Sequence, residues 1–137
     1  MTWIPLALLA AVFAALVAIL GKVGLQGIDT TLATTVRAVI MAGFLVVVSL
    51  FFGKLDFSSI PQGKALLFIA LSAVAGALSW LAMFGALKIG PAPGVAALDR
   101  LSVVFVLILS ILFLGTQFTW KAGLGAGLIV IGALLMI

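Results

Sequence analysis

The sequence predicts an all-α integral membrane protein with five transmembrane helices in a single domain, residues 1–137. Hydrophobic residues make up 66% of the chain and charged residues 7%, whereas soluble domains are about 25% charged. Several apolar segments are long enough, at a helical rise of about 1.5 Å per residue, to cross a hydrocarbon core of about 30 Å. The predicted helices cover residues 3–20, 32–52, 65–87, 95–114 and 120–137.

The composition argues against several classes of function. The chain has no cysteine, histidine or glutamate, so it lacks the side chains of thiolate catalysis, serine–histidine catalysis and the common transition-metal sites. We therefore predict no cofactor, no metal site and no enzymatic activity. The net charge of +4 comes from seven scattered basic residues and three aspartates. Without a basic patch, no nucleic-acid partner is expected, and membrane lipids are the predicted surroundings.

The first helix, residues 3–20, is expected to be retained in the membrane. Lys22 follows its apolar segment and no positive charge precedes it, whereas a cleaved signal peptide carries its positive charge first. The short polar segment that comes next contains Asp29 and Thr30, and either residue can cap the second helix.

The second helix, residues 32–52, contains Arg37 inside its apolar segment. Two interpretations are open for this side chain. It either extends back to the lipid headgroups, or it faces an aqueous cavity, where it pairs with Asp99 or holds an anionic group.

The third helix, residues 65–87, carries a face of small and weakly polar residues, with Trp80 beside Ser79. Such a face either packs tightly against another helix or lines a pocket. Ser79 and Trp80 are therefore candidate site residues as well as candidate packing residues.

The fourth helix, residues 95–114, follows a hairpin with Pro91 and Pro93 and contains Asp99 and Arg100. An ionisable residue within a span costs about 2.5–3.5 kcal/mol on insertion scales, and it usually faces a bundle interior or a water-filled cavity. Ser102 shares a helix face with Asp99, whereas Arg100 points about 100° away from it. These residues are the strongest indication of a site.

The fifth helix, residues 120–137, is rich in glycine. Gly123 and Gly127 form a GxxxG pattern, which favours close contact between helices. This face is the predicted surface for a second chain.

The basic residues show little preference for one side of the membrane. Alternating spans place Lys54, Lys64 and Lys121 on one side, and Lys22 and Lys88 on the other. Because an excess of Lys and Arg normally fixes orientation, this even distribution predicts insertion in both orientations. Two copies would then pair antiparallel into a ten-helix inverted-repeat bundle with a site near the midplane. A fixed orientation set by small biases is the alternative.

The order and spacing of small, apolar and proline residues resemble a known family. The similar segments are Met83-Phe84-Gly85-Ala86-Leu87-Lys88-Ile89-Gly90-Pro91-Ala92, Leu112-Phe113-Leu114-Gly115 and Gly125-Ala126-Gly127-Leu128-Ile129. Together with Arg37 they resemble the EamA domain of the drug/metabolite transporter superfamily, as one five-helix, half-size member. The chain has Thr116 where that family usually has an acid, and it lacks the first-helix glutamate of small multidrug resistance proteins. Asp99 is thus the one acid in a predicted span.

The resemblance implies a transporter that moves a small metabolite or amphipathic organic compound by alternating access across the plasma (inner) membrane of a prokaryote. The implied assembly is an antiparallel homodimer or a pair with a second half-size chain. The candidate substrate-binding residues are Asp99, Arg37, Arg100, Ser102, Ser79 and Trp80, with Asp99 as the coupling acid. Two other hypotheses stay open. One is a non-transporting subunit that packs on a larger partner, and the other is a lipid-carrier flippase whose arginines bind a phosphate headgroup.

Overall fold

The computed structural model describes residues 3–56, 58, 60 and 62–137, and these residues form six α-helices and no strand. The helices are α1 (Trp3–Gly24), α2 (Thr30–Phe51), α3 (Lys64–Ile89), α4 (Ala92–Asp99), α5 (Ser102–Leu114) and α6 (Trp120–Leu134). The predicted all-α class is therefore confirmed.

Four helical segments are long and apolar enough to cross a membrane. They are α1, α2, α3 and the segment Ala92–Leu114, which comprises α4 and α5. The shorter apolar helix α6 has 15 residues, a length of about 22 Å at 1.5 Å per residue. Five segments thus fit the five predicted spans.

The ends of two helices show how local chemistry sets the boundaries. Asp29 is the N-cap of α2, and its side chain accepts hydrogen bonds from the N–H groups of Thr31 (2.9 Å) and Leu32 (3.1 Å). Helix α4 begins at Ala92 with Pro93 in its first turn, earlier than the predicted start at residue 95. Proline is tolerated there because the N–H groups of a first turn have no partner within the helix.

The chain divides into two compact units. Unit 1 consists of Met1–Lys22 and Ile89–Ile137, and unit 2 is Val23–Lys88. Unit 1 therefore contains most of α1 together with α4, α5 and α6, whereas unit 2 contains α2 and nearly all of α3.

In unit 1, α4 and α5 both pack against α6. Gly94 of α4 is buried, and a Cβ at this position would lie 3.2 Å from the carbonyl oxygen of Met136, two residues after the end of α6. On α6 the buried residues are Ala126 and Ala133. Small side chains thus allow these helices to approach each other, as is common in membrane proteins.

The glycine face of α6 is partly covered by its own chain. A Cβ at Gly123 would lie 2.6 Å from Cζ of Phe118, so the Phe118 ring rests on this glycine. Gly127 has no such neighbour within 4 Å. A groove of about 350 Å³ extends along this face from Phe118 past Gly127 to Ile131. Only the Gly127 part of the predicted GxxxG contact surface is therefore open.

This arrangement predicts different effects for two glycine-to-alanine substitutions in α6. Gly125→Ala is expected to raise the melting temperature of the purified protein, because alanine is favoured over glycine in a helix by about 1 kcal/mol and its Cβ would meet no atom within 4 Å. Gly123→Ala is expected to gain less, because the Phe118 ring must move. Equal gains would show that Phe118 does not rest on Gly123.

In unit 2, the buried side chains are Leu25, Thr34, Phe84 and Leu87. The hydroxyl of Thr34 donates to the carbonyl oxygen of Thr30, 2.7 Å away and one turn earlier in α2. Its polar group is thus satisfied within the helix, as burial requires.

Most side chains of the long apolar helices are exposed on the single chain. At most 6% of the most apolar stretch of each of the four membrane-spanning segments is buried. These surfaces are left for lipid or for a second chain, because apolar surface of this extent is not stable in water.

Candidate functional site

The clearest side-chain cluster within a span lies between α2 and α3 in unit 2. Cζ of Arg37 lies 3.7 Å from the ring centroid of Trp80 and 5.7 Å from that of Phe84. The two rings meet edge to face, with centroids 5.6 Å apart and an interplanar angle of 89°. A cation over the face of an aromatic ring is attracted by its electron density, and tryptophan is the best such partner.

Helical spacing explains how α3 presents both rings to Arg37. Trp80 and Phe84 are four residues apart, so they lie on one face of the helix. Phe84 is buried, with 4% of its surface exposed, whereas Arg37 and Trp80 are half-buried. Phe84 therefore fixes the Trp80 ring from the interior side.

The ring contacts offset only part of the cost of the Arg37 charge. A cation–π contact contributes about 0.5–2 kcal/mol, depending on desolvation. An arginine in a span costs about 2.5–3.5 kcal/mol on insertion scales. The acids of unit 2, Asp29 and Asp56, both lie outside its helices, so neither provides a counter-charge within a span.

Ser79, a sequence-predicted site residue, does not belong to this ring cluster. It is exposed, and as the neighbour of Trp80 on a helix it points about 100° away from that ring. Of the predicted residues in unit 2, the structure thus brings Arg37 and Trp80 together and leaves Ser79 on another face.

The fourth span is interrupted between α4 and α5, at Arg100 and Leu101. Here the backbone hydrogen bonds join residues three apart instead of four. The N–H of Arg100 donates to the carbonyl oxygen of Ala97 (3.1 Å), and the N–H of Leu101 donates to that of Leu98 (2.9 Å). The N–H of Val103 donates to the carbonyl oxygen of Arg100 (3.1 Å). A short segment of this 3₁₀ type within a helix often marks a functional hinge. The predicted helix 95–114 is therefore one span, Ala92–Leu114, in which α4 and α5 are joined by a short 3₁₀ turn and the backbone stays right-handed helical at Arg100 and Leu101.

The three remaining predicted site residues flank this interruption. Asp99 is the last residue of α4, Arg100 follows it, and Ser102 is the first residue of α5. All three side chains are exposed on the single chain. Unit 1 thus places an acid, a base and a hydroxyl within four consecutive positions at a break in a span.

Two lysines at helix ends contact backbone carbonyls in hairpins distant in sequence. Nζ of Lys22 donates to the carbonyl oxygen of Gly90 (2.8 Å), within unit 1. Nζ of Lys88 donates to the carbonyl oxygen of Ile28 (3.0 Å), within unit 2. Both lysines begin a Lys-Xaa-Gly tripeptide. Both charges lie in the last turn of their helix, α1 for Lys22 and α3 for Lys88.

The N-cap of α2 makes a testable contribution to stability. The N–H of Leu32 holds the pKa of Asp29 below its ordinary value of 3.8, with further lowering by the N–H of Thr31 and the charge of Lys88. A group whose pKa is lowered in the folded state stabilises the protein above its unfolded pKa, and that contribution is lost as the pH falls through the folded pKa.

Asp29→Ala is therefore expected to lower the melting temperature at neutral pH, because the first turn of α2 loses its hydrogen-bond acceptor. The difference from the unsubstituted protein should shrink as the pH falls below 3.8, because a protonated carboxyl no longer contributes its charge to the cap. Thermal melting of both proteins across that pH range checks this. A difference that stays constant with pH would show that the charge does not contribute.

Sequence reasoning missed two features of the site. Phe84 was not identified as a site residue, although its spacing from Trp80 places both on one face of α3. The interruption at Arg100 and Leu101 carries no glycine or proline, so it has no local signal beyond the adjacent charges.

Comparison with known proteins places these features in a family context. The EamA-like transporter family model matches residues 1–137. A Sinorhizobium protein named "Uncharacterized transporter in cobO 3'region" is 42% identical over 135 residues, which cover 98% of this chain and 96% of that protein. No solved structure matches the chain significantly.

Proposed function

The chain belongs to the EamA-like transporter family and is a multi-pass membrane protein, and on that premise we propose its mode of action. It moves a small metabolite or an amphipathic organic compound across the plasma membrane of a prokaryote by alternating access. The working unit is an antiparallel homodimer, in which two five-helix chains form the two halves of an inverted repeat.

The observation that carries this proposal is the interrupted fourth span. Substrate and ion sites of many transporters are formed by discontinuous helices, because an interrupted backbone and its polar side chains are tolerated only where they line a cavity. Here the interruption, at Arg100 and Leu101, directly follows Asp99. Two charges at this interruption would not stabilise a span whose role is purely structural.

The residues of the site have separate roles in this proposal. Asp99 is the acid that couples transport to a proton or contacts a cationic group, since it is the one acid in a span. Arg37 and Arg100 each contribute a positive charge in the spans of their own unit, and Trp80 forms a stacking wall beside Arg37. Ser79 and Ser102 offer hydrogen bonds to the substrate.

Three observations support an antiparallel second copy. The lysines divide almost evenly between the two sides of the membrane, so orientation is weakly specified. The long helices also bury few of their side chains within one chain. The open groove at Gly127 offers one surface on which another helix can approach closely.

Transport by the purified protein tests the proposal. We would load proteoliposomes with a metabolite extract and identify by mass spectrometry the compounds that leave faster than from protein-free liposomes. We expect selective efflux of one compound or a few related ones. If no compound leaves faster, and the protein purifies only with a larger partner, the alternative of a non-transporting subunit is favoured instead.

A further inference from the structure

We propose that Arg37 binds an oxyanion group of the transported compound, a carboxylate or a phosphate, while Trp80 holds its guanidinium in the required orientation. This inference rests on the proposed transport function and adds a substrate class to it. Four observations carry it: how the guanidinium lies on the ring, how deep it lies, which acids share its unit, and how firmly the ring is held.

The guanidinium of Arg37 lies over the ring of Trp80. Its Cζ is 3.7 Å from the ring centroid, which is a van der Waals contact. A single C–N bond directed straight at the ring would bring its nitrogen about 1.3 Å closer, nearer than the atoms allow. The guanidinium carries five N–H donors in one plane, more than one ring contact can occupy, so donors remain available to another group.

The cluster lies deep in both helices. Arg37 in α2 and Trp80 in α3 are each about one turn from the midpoint of their helix. A side chain that only returned to the headgroups would not rest on a ring at this level. The interpretation that Arg37 extends back to the lipid headgroups is therefore disfavoured.

The acids of unit 2 are engaged elsewhere. Asp29 accepts from the backbone at the start of α2, and Asp56 accepts from the N–H and hydroxyl of Ser58 in the loop before α3. Among the described residues of this unit, the Arg37 charge is matched by aromatic rings alone. A negatively charged ligand would supply the missing counter-charge, and charge-assisted hydrogen bonds of this kind are the strong ones.

The platform under Arg37 is firmly held. Phe84 is buried and meets Trp80 edge to face, so the ring has a packing partner in the absence of any ligand. The planar guanidinium presents its donors in a fork that matches two oxygens of a carboxylate or phosphate. A lysine ammonium has no such planar arrangement. The site is therefore expected to select anionic compounds over neutral ones of the same shape.

Tryptophan fluorescence tests the proposal without a transport assay. The full-length protein with Trp3→Phe and Trp120→Phe, in a neutral sugar detergent, reports on Trp80 alone. It is titrated with benzoate, phenyl phosphate and, as the neutral control, benzamide. We expect a saturable change with at least one anion and none with benzamide. Arg37→Met should abolish it, and Arg37→Lys should weaken binding at least about tenfold.

Matched measurements separate the possible results. Lys54→Met, which removes one charge from a loop, should leave the response unchanged, and size-exclusion chromatography should show that all variants are folded.

Saturation by phosphatidic acid in mixed micelles would identify a lipid headgroup as the source of the oxyanion. No response to either anion, an equal response to benzamide, or an unchanged response in Arg37→Met would each overturn the proposal. Anion binding without efflux from proteoliposomes would instead count against the transport function.

Discussion

Asp99→Asn is expected to reduce coupled transport to the level of protein-free liposomes while the protein still folds. Asparagine keeps the size of the side chain and its hydrogen-bonding capacity, but it can neither carry a negative charge nor accept a proton. Because Asp99 is the one acid in a span, no nearby carboxylate in the same chain can replace it. The measurement is efflux from proteoliposomes in the presence of a proton gradient.

Asp56→Asn is the matched control for this substitution. It removes a carboxylate from the loop before α3, outside the spans, and it should leave efflux close to that of the unsubstituted protein. Undiminished, gradient-dependent efflux in Asp99→Asn would remove Asp99 from the mechanism. Equal loss in both variants would point to folding or insertion as the cause.

Trp80→Ala is expected to have the largest effect on stability of the substitutions considered. We expect it to lower the free energy of unfolding by about 3 kcal/mol, at the lower end of the range for core tryptophans because Trp80 is half-buried. The loss combines the contacts with Phe84 and with the guanidinium of Arg37. Thermal or denaturant unfolding in detergent checks the value.

A double-substitution cycle isolates the cation–π part of this effect. Combining Trp80→Ala with Arg37→Met should give a coupling energy of about 0.5–2 kcal/mol. Trp120→Ala serves as the control, because Trp120 is 73% exposed and should show no coupling to Arg37. A coupling energy of zero between Trp80 and Arg37 would mean that the ring does not hold the guanidinium.

The spans could be predicted from the sequence because backbone polar groups must be satisfied inside lipid, so long apolar segments become helices. The N-cap at Asp29 followed from side-chain chemistry that acts within three residues. The first and third helices end at Gly24 and Ile89, four and two residues beyond their predicted ends.

The features that were missed depend on contacts between residues distant from each other or on small changes in backbone bonding. Nothing in the residue types around Arg100 and Leu101 distinguishes bonds to the third residue from bonds to the fourth. The pairing of Arg37 with Trp80 joins two helices, and periodicity in either helix alone does not reveal it. The GxxxG pattern likewise gives no sign that Phe118 covers Gly123.

The measurement that most directly tests the account is the orientation of the chain in the membrane. The protein has no cysteine, so single cysteines can replace the exposed residues Gln26, in the hairpin before α2, and Gln117, in the loop before α6. Five spans place these loops on opposite sides. In intact cells treated with a membrane-impermeant maleimide, the antiparallel homodimer predicts partial labelling at both positions, near half for each. Complete labelling at one position and none at the other would mean a single orientation, which contradicts the antiparallel homodimer.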